Sequence, residues 1–513
     1  MPHKRSSGIL MHITSLPSAH GVGTMGVVAR QFIDQMVEMG QSIWQILPIN
    51  PPNGLGCPYS ASSTFANFEL LVSFNDLVKD GLLDKTDLEN LDQLSDEIMD
   101  YDKIVTVRTP VLRKACQNFL NGSKPEWLSD FAQYCKKHDS VWLDDYALYA
   151  VLKEKYNKSW TDWPKALARF DTQAIQEARD AHIEKILLIK AGQFLFEHYW
   201  QDLRKYANER GIEIFGDVPI YVAQDSADVW SSQADFLLDR ETGEPTHIAG
   251  CPPDNFCHEG QRWGNPIYNW DAMEKDKFGW WKHRIARAVE LMDFVRVDHF
   301  RAFAAYWSIP ASCPTAIDGE WIKAPGHALF NALRDEFGQD LPLIAEDLGH
   351  ITPDVIDLRD SFDIFGMKVL NFLSEEGDFQ GDRHPRHYPK GSVCYIGTHD
   401  NDTGLGWLNK DCDPGKTEEE SQRYRNWFRA IMDTKILEAY GQHWAMIDVA
   451  VKSNSNMVIF QMQDLLGQGT EGRMNIPGTA EGQWQWRLQK DALTDQIRQT
   501  MRNFTEQSKR LPT

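Results

Sequence analysis

The sequence predicts an α/β protein built on a (β/α)8 TIM barrel, and three observations carry that prediction. Short apolar runs rich in Ile, Val, Leu and Phe recur along the chain, and each stops at a polar or charged residue. Helical patterns separate many of these runs. Acidic residues fall repeatedly at the ends of the runs, where an enzyme barrel carries its chemistry.

The runs cover residues 9–13, 42–47, 212–217, 294–298, 341–347, 367–372, 393–398 and 457–461. Short, bounded and continuously apolar segments fit strands buried on both faces, as in a parallel sheet. Ahead of the third run, Leu188, Ala191, Leu195, Tyr199, Leu203 and Tyr206 recur at spacings of three and four, the period of an amphipathic helix. Eight strands alternating with helices close into a barrel. Two connections are too long for one helix. Residues 76–210 are expected to form a mostly helical insertion between strands 2 and 3. Residues 222–290, rich in Gly, Pro, Asn and Trp, are expected to form a structured active-site loop region. The whole of 1–513 is expected to be one catalytic barrel domain.

Bulk properties narrow the function. The chain has 513 residues, 42% of them hydrophobic and 25% charged, the balance of a globular protein with a large core. A formal charge of -21 repels phosphate backbones and anionic lipid, so neither nucleic acid nor a membrane is expected as a partner. Residues 1–17 lack the apolar stretch of a signal peptide, and no later run approaches a membrane span. The closest cysteine pair, Cys251 and Cys257, has no matching second pair, so no zinc or other metal site is expected. Scattered thiols fit a cytoplasmic protein.

Asp217, Asp298, Glu346, Asp400 and Asp464 lie at or just beyond the predicted strand ends. Any one of them could simply cap the next helix. Several around one barrel would converge on a single mouth. Paired carboxylates there suit glycosidic chemistry, in which one ionised group attacks the anomeric carbon and one protonated group serves the leaving oxygen. Environment must drive their pKa values apart. Arg296 lies two residues before Asp298, so strand alternation puts both side chains on one face and gives the acid a cationic partner. A structural salt bridge is the plainer role for Arg296, and both can hold. His299 and His399 each adjoin a candidate acid.

Three stretches, Phe294-Val-Arg-Val-Asp-His-Phe-Arg301, Ile344-Ala-Glu-Asp-Leu-Gly349 and Gly397-Thr-His-Asp-Asn-Asp-Thr403, resemble the catalytic motifs of the α-amylase clan. With Gly216-Asp-Val-Pro-Ile-Tyr221, Pro58-Tyr59-Ser60, Gly260-Gln-Arg-Trp-Gly-Asn-Pro266 and Arg473-Met-Asn-Ile-Pro-Gly478, the chain is similar to the clan's 4-α-glucanotransferase branch, known as amylomaltase or disproportionating enzyme. The resemblance runs from about Gly8 to Arg487 and is to the shorter bacterial form, with no separate N-terminal module.

That resemblance implies roles. Asp298 matches the nucleophile, Glu346 the general acid/base and Asp400 the transition-state stabiliser. Arg296, His299 and His399 match contacts to substrate and nucleophile. Tyr59, Asp217, Gln261, Trp263, Asn475 and Gly478 match positions lining a glucan cleft. Residues 250–256, with Asp254 and Phe256, match a loop that holds the glucan at the scissile bond. It implies donors among maltooligosaccharides and starch- or glycogen-derived glucans, glucose as an acceptor, no cofactor, and a monomer or homodimer. Three departures stand out: Cys57 where Ser usually precedes Pro-Tyr, Ala66-Asn67-Phe68 for Gly-Asn-Pro, and Asn255 where an aromatic is usual. Against transfer stand two other readings, an α-glucan hydrolase of the same clan and an inactive carbohydrate-binding protein.

Overall fold

The computed structural model describes residues 4–253, 258–375, 384–413, 417–479 and 481–512. Its strands, in chain order, are β1 (Ser6–Leu10), β2 (Ile43–Gln45), β3 (Glu213–Pro219), β4 (His247–Cys251), β5 (Gln261–Pro266), β6 (Phe294–Asp298), β7 (Ala305–Pro310), β8 (Glu320–Lys323), β9 (Leu343–Ala345), β10 (Gly366–Val369), β11 (Ser392–Tyr395) and β12 (Met457–Gln461). Eight of them form one parallel sheet in the order β10-β11-β12-β1-β2-β3-β6-β9. Each of the eight apolar runs supplied one of these strands. The ring closes between β9 and β10, where a single parallel bridge joins Ile344 to Phe365 and the Ala345 N–H donates to the Phe365 carbonyl at 2.8 Å.

Alternation along each strand divides the core in two. Leu10, Ile43, Phe215, Phe294, Ile344, Met367, Val393 and Ile459 pack together as one cluster inside the ring. Their neighbours Ile9, Trp44, Ile214, Val295, Leu343, Cys394 and Val458 join the larger core under the helices. Both faces are apolar because both are buried, so these strands appear as unbroken hydrophobic runs. Gly8 is required where β1 meets β2: a Cβ there would lie 2.2 Å from the Ile43 carbonyl oxygen.

Between β2 and β3 the chain forms helices that include Tyr101–Asn118, Leu128–His138, Asp144–Tyr156 and Ile183–Asn208. The last packs on the first and third of these and then leads into β3, burying Ala191, Leu195, Tyr199 and Leu203. A second, antiparallel sheet, β5-β4-β7-β8, rises from the connections around β6. Alternation in these strands is weak, and Asp318-Gly319, just before β8, is a turn dipeptide between β7 and β8. Among the described residues no helix is long and apolar enough to cross a membrane.

Candidate active site

The site is built outward from Arg296. It lies on β6 with 3% of its surface exposed, and pleating turns its side chain to the same face as Asp298. Its Nη2 donates to Asp298 Oδ1 at 2.7 Å, and its Nη1 donates to both oxygens of Asp217 at 2.8 and 2.7 Å. The Tyr59 hydroxyl donates to Asp217 Oδ2 at 2.8 Å. Burial pushes the Asp217 carboxyl up to about 6, with Arg296 pulling the other way. Burial also opposes charge on Arg296, but Asp217 and Asp298 outweigh it and hold its pKa well above the ordinary value. Asp217 is fully buried and accepts from both Arg296 and Tyr59.

Glu346 stands one residue past the end of β9. Its Oε2 accepts from the His299 N–H at 2.7 Å and its Oε1 from the Leu348 N–H at 2.9 Å. The first bond depends on strained backbone. His299 has φ 52°, in the left-handed region that non-glycine residues avoid, and this turns the chain immediately after Asp298. Burial pushes the Glu346 carboxyl up to about 8, and the nearby Asp298 charge adds to the shift. Arg296 and the two amides oppose it. The shift favours the protonated form of Glu346. Burial lowers the His299 imidazole to about 4, so that ring is neutral. Trp263, 37% exposed, meets His299 edge to face with centroids 4.8 Å apart, and its indole N–H donates to Gln261 Oε1 at 3.0 Å.

Asp400 lies in the loop after β11. Its Oδ1 accepts from Asn475 Nδ2 at 2.7 Å, and its Oδ2 lies 3.3 Å from His399 Nε2. Burial alone would raise the Asp400 pKa, but His399 and Asn475 outweigh it and leave the group well below the usual carboxylate range. The His399 ring stacks on Tyr59, with centroids 5.0 Å apart and planes at 14°. Cys57 packs against the same inner cluster, its thiol pushed up by burial. Gln261 and Gly478 line an open cleft of about 840 Å³ together with Asp402, Arg473 and Ile476. Asp254, Asn255 and Phe256 lie outside the described residues.

Comparison with known proteins settles the family. A family model described as 4-alpha-glucanotransferase matches residues 11–494. The chain belongs to the 4-alpha-glucanotransferase family. It is 41% identical to a 4-alpha-glucanotransferase of Synechocystis sp. over 99% of this chain and 98% of the relative. It is 39% identical to one of Thermus thermophilus, over 99% of each chain. The solved amylomaltase from Streptococcus agalactiae, in complex with acarbose, superposes with a TM-score of 0.91 at 37% identity, covering 99% of this chain and 100% of that one. As a member of this family the protein is an enzyme, and its reaction is transfer of α-1,4-glucan segments.

Within this glucanotransferase not every strand-end acid reaches the mouth. Asp464 is 3% exposed and accepts from the Gly404 N–H at 2.6 Å, at the start of the helix Gly404–Asn409. Burial pushes it up to about 7, with Asp402 adding to the shift. Its place is structural. Two other neighbours escaped the sequence reading. Trp484 lies against Tyr59 and His399, with centroids at 5.8 and 5.9 Å. Arg473 donates to the Asp400 carbonyl at 2.7 Å. Both come from far along the chain; Arg473 opens the motif Arg473–Gly478, from which only Asn475 and Gly478 were assigned to the cleft, and Trp484 lies in none of the motifs quoted above. Among the described residues no group of three or more His, Cys, Asp or Glu side chains is placed to hold a metal ion.

Proposed function

We propose that Asp298, Glu346 and Asp400 carry out glucan transfer by a retaining double displacement. Glu346 gives its proton to the α-1,4 glycosidic oxygen while Asp298 attacks the anomeric carbon. Arg296 engages Asp298 Oδ1, so the attack falls to Oδ2. The reducing-end fragment leaves and the donor glucan stays bound to Asp298. Glu346, now ionised, takes the proton of the 4-hydroxyl of the incoming glucan, whose oxygen displaces Asp298 with net retention. Asp400 accepts from hydroxyls of the sugar ring at the cleavage point. Its low pKa fits a group that stays ionised throughout.

The observation that carries this reading is the unequal treatment of two neighbouring acids. Asp298 has a guanidinium at 2.7 Å, whereas Glu346 accepts from backbone amides and is pushed up to about 8. That is the division of labour a nucleophile and a general acid require. Tyr59, His299, His399, Gln261, Trp263, Asn475 and Gly478 are the side of the site that grips the glucan, with Trp263 offering an exposed aromatic face for a sugar ring. Maltooligosaccharides and starch- or glycogen-derived glucans are donors in this reading, glucose or a second glucan is the acceptor, and the compartment is the cytoplasm.

Incubation with maltotriose tests the reading. Glucose plus a ladder of longer maltooligosaccharides, at constant total reducing ends, is the expected result. A steady rise in reducing ends with no ladder would make the protein a hydrolase.

A further inference from the structure

Asp400 is the one member of the proposed trio that is not at a strand end. β11 stops at Tyr395, and the acid follows in a loop. Loops are less rigid than strands, and a group that must meet a transition state has to be placed to within a fraction of an ångström. The loop has local ties: Asn401 Oδ1 accepts from the Thr398 N–H at 2.9 Å and from its hydroxyl at 3.0 Å. These fix the turn on itself. Farther along, Asp402 Oδ2 accepts from the Thr470 hydroxyl at 3.0 Å and ties the loop to the one after β12, but two residues past the acid, leaving Asp400 itself to be placed.

We infer that Arg473 is a positioning residue for the glucan-transfer reaction, joining the Asp400 loop to the loop after β12 and so setting where the Asp400 carboxylate lies. The inference rests on the reading of Asp400 given above. Three bonds of equal length form a closed circuit. Arg473 Nη2 donates to the Asp400 carbonyl at 2.7 Å, and Arg473 Nε donates to the Asn475 carbonyl at 2.7 Å. Asn475 Nδ2 returns to Asp400 Oδ1 at 2.7 Å. The guanidinium thus holds the backbone of the acid and the backbone of the residue that grips the acid's side chain. A guanidinium is planar and its donors are fixed relative to one another, so the two carbonyls are held at one spacing. A lysine ammonium is a point donor on a flexible stem and cannot fix both. Asn475 is 9% exposed, with little room to find another partner for Asp400. Arg473 also faces the open cleft beside Gln261 and Gly478, where a bound glucan would press on this circuit.

Arg473→Ala and Arg473→Lys, assayed for kcat and KM on maltotriose with thermal midpoints measured alongside, test the inference. A small misplacement of a catalytic group costs about 100-fold in rate, and that loss is expected in kcat for both variants. KM should move far less, because the rest of the glucan-binding surface is intact. Added methylguanidinium should restore part of the turnover of Arg473→Ala and none of that of Arg473→Lys. Because Arg473 and Asn475 belong to one circuit, the double variant Arg473→Ala/Asn475→Ala should be no slower than the slower of the two single variants, within about twofold. Turnover within about twofold of the parent in both single variants overturns the inference, as does a double variant in which the two losses multiply. Asp400→Asn separates this from the underlying reading. Parent-like turnover in Asp400→Asn removes the role of Asp400 itself, whereas an inactive Asp400→Asn beside active Arg473 variants removes only the role of Arg473.

Discussion

Glu346 and Asp464 are both acids just past a barrel strand, both accept from backbone amides, and burial raises both, to about 8 and about 7. Only one belongs to the mouth. Asp464 is closed off at 3% exposure, and its amide partner belongs to the helix it anchors. Glu346 is half-buried, and the amide it holds belongs to the residue after Asp298. A raised pKa therefore does not mark a catalytic acid by itself. Both have a second acid nearby, Asp298 for Glu346 and Asp402 for Asp464, so what distinguishes Glu346 is its open side toward the cleft. Asp347 makes the same point from the other direction: next to Glu346 in sequence, it points away and accepts from the Met367 N–H at 2.6 Å and from Arg359 at 2.5 Å.

The contrast is broken most directly at Glu346. Glu346→Gln should lose about 10²–10⁴-fold in kcat, since general acid–base catalysis supplies that much, with an unchanged circular dichroism spectrum. Parent-like turnover would sink the assignment. Next comes pH. Glu346 must be protonated for the first step, so kcat/KM should fall as pH rises through about 8. A profile flat to pH 9.5 would show that another group supplies the proton. Asn475→Ala removes one hydrogen bond to a charged group. Such bonds are worth about 1.5–3 kcal/mol, so kcat should drop by roughly 10- to 100-fold.

Asp464→Asn should have the smallest effect on turnover, leaving kcat within about twofold, as for a residue outside the chemistry. Its effect belongs to stability. A carboxyl raised from 3.8 to about 7 on folding takes up protons, so it withdraws stability as pH rises across that window. In chemical denaturation at several pH values, the variant should lose less stability than the parent between pH 4 and 7. An equal slope in both proteins would mean that Asp464 is not the group titrating.

These expectations also show what the sequence could carry. The eight barrel strands were legible because strands buried on both faces leave unbroken runs of Ile, Val, Leu and Phe. Their ends were less so. The first run was placed at 9–13, but the strand is Ser6–Leu10 and Ile13 begins a 3-10 turn. The sixth run was carried to Phe372, but the strand stops at Val369 and the chain coils into Leu370–Glu375. Apolar residues continue past a strand when the turn that follows is buried too. The pairing of Arg296 with Asp298 was legible, since it needs only two-residue alternation. The burial of Asp217 was not, because the Tyr59 hydroxyl that covers it comes from another part of the chain. The hold of Asn475 on Asp400 and the isolation of Asp464 likewise depend on contacts that span tens of residues and leave no mark on local spacing.

One feature of the ring has a mechanical side. Seven of the eight joints between neighbouring barrel strands are ladders, and the eighth is the lone bridge from Ile344 to Phe365. A hoop yields first at its weakest joint. That joint lies two residues from Glu346, on the three-residue strand that carries it. The sparsest strand pairing of the barrel thus lies beside Glu346, the acid proposed to serve two different oxygens in turn, while the strand bearing Asp298 is laddered on both sides.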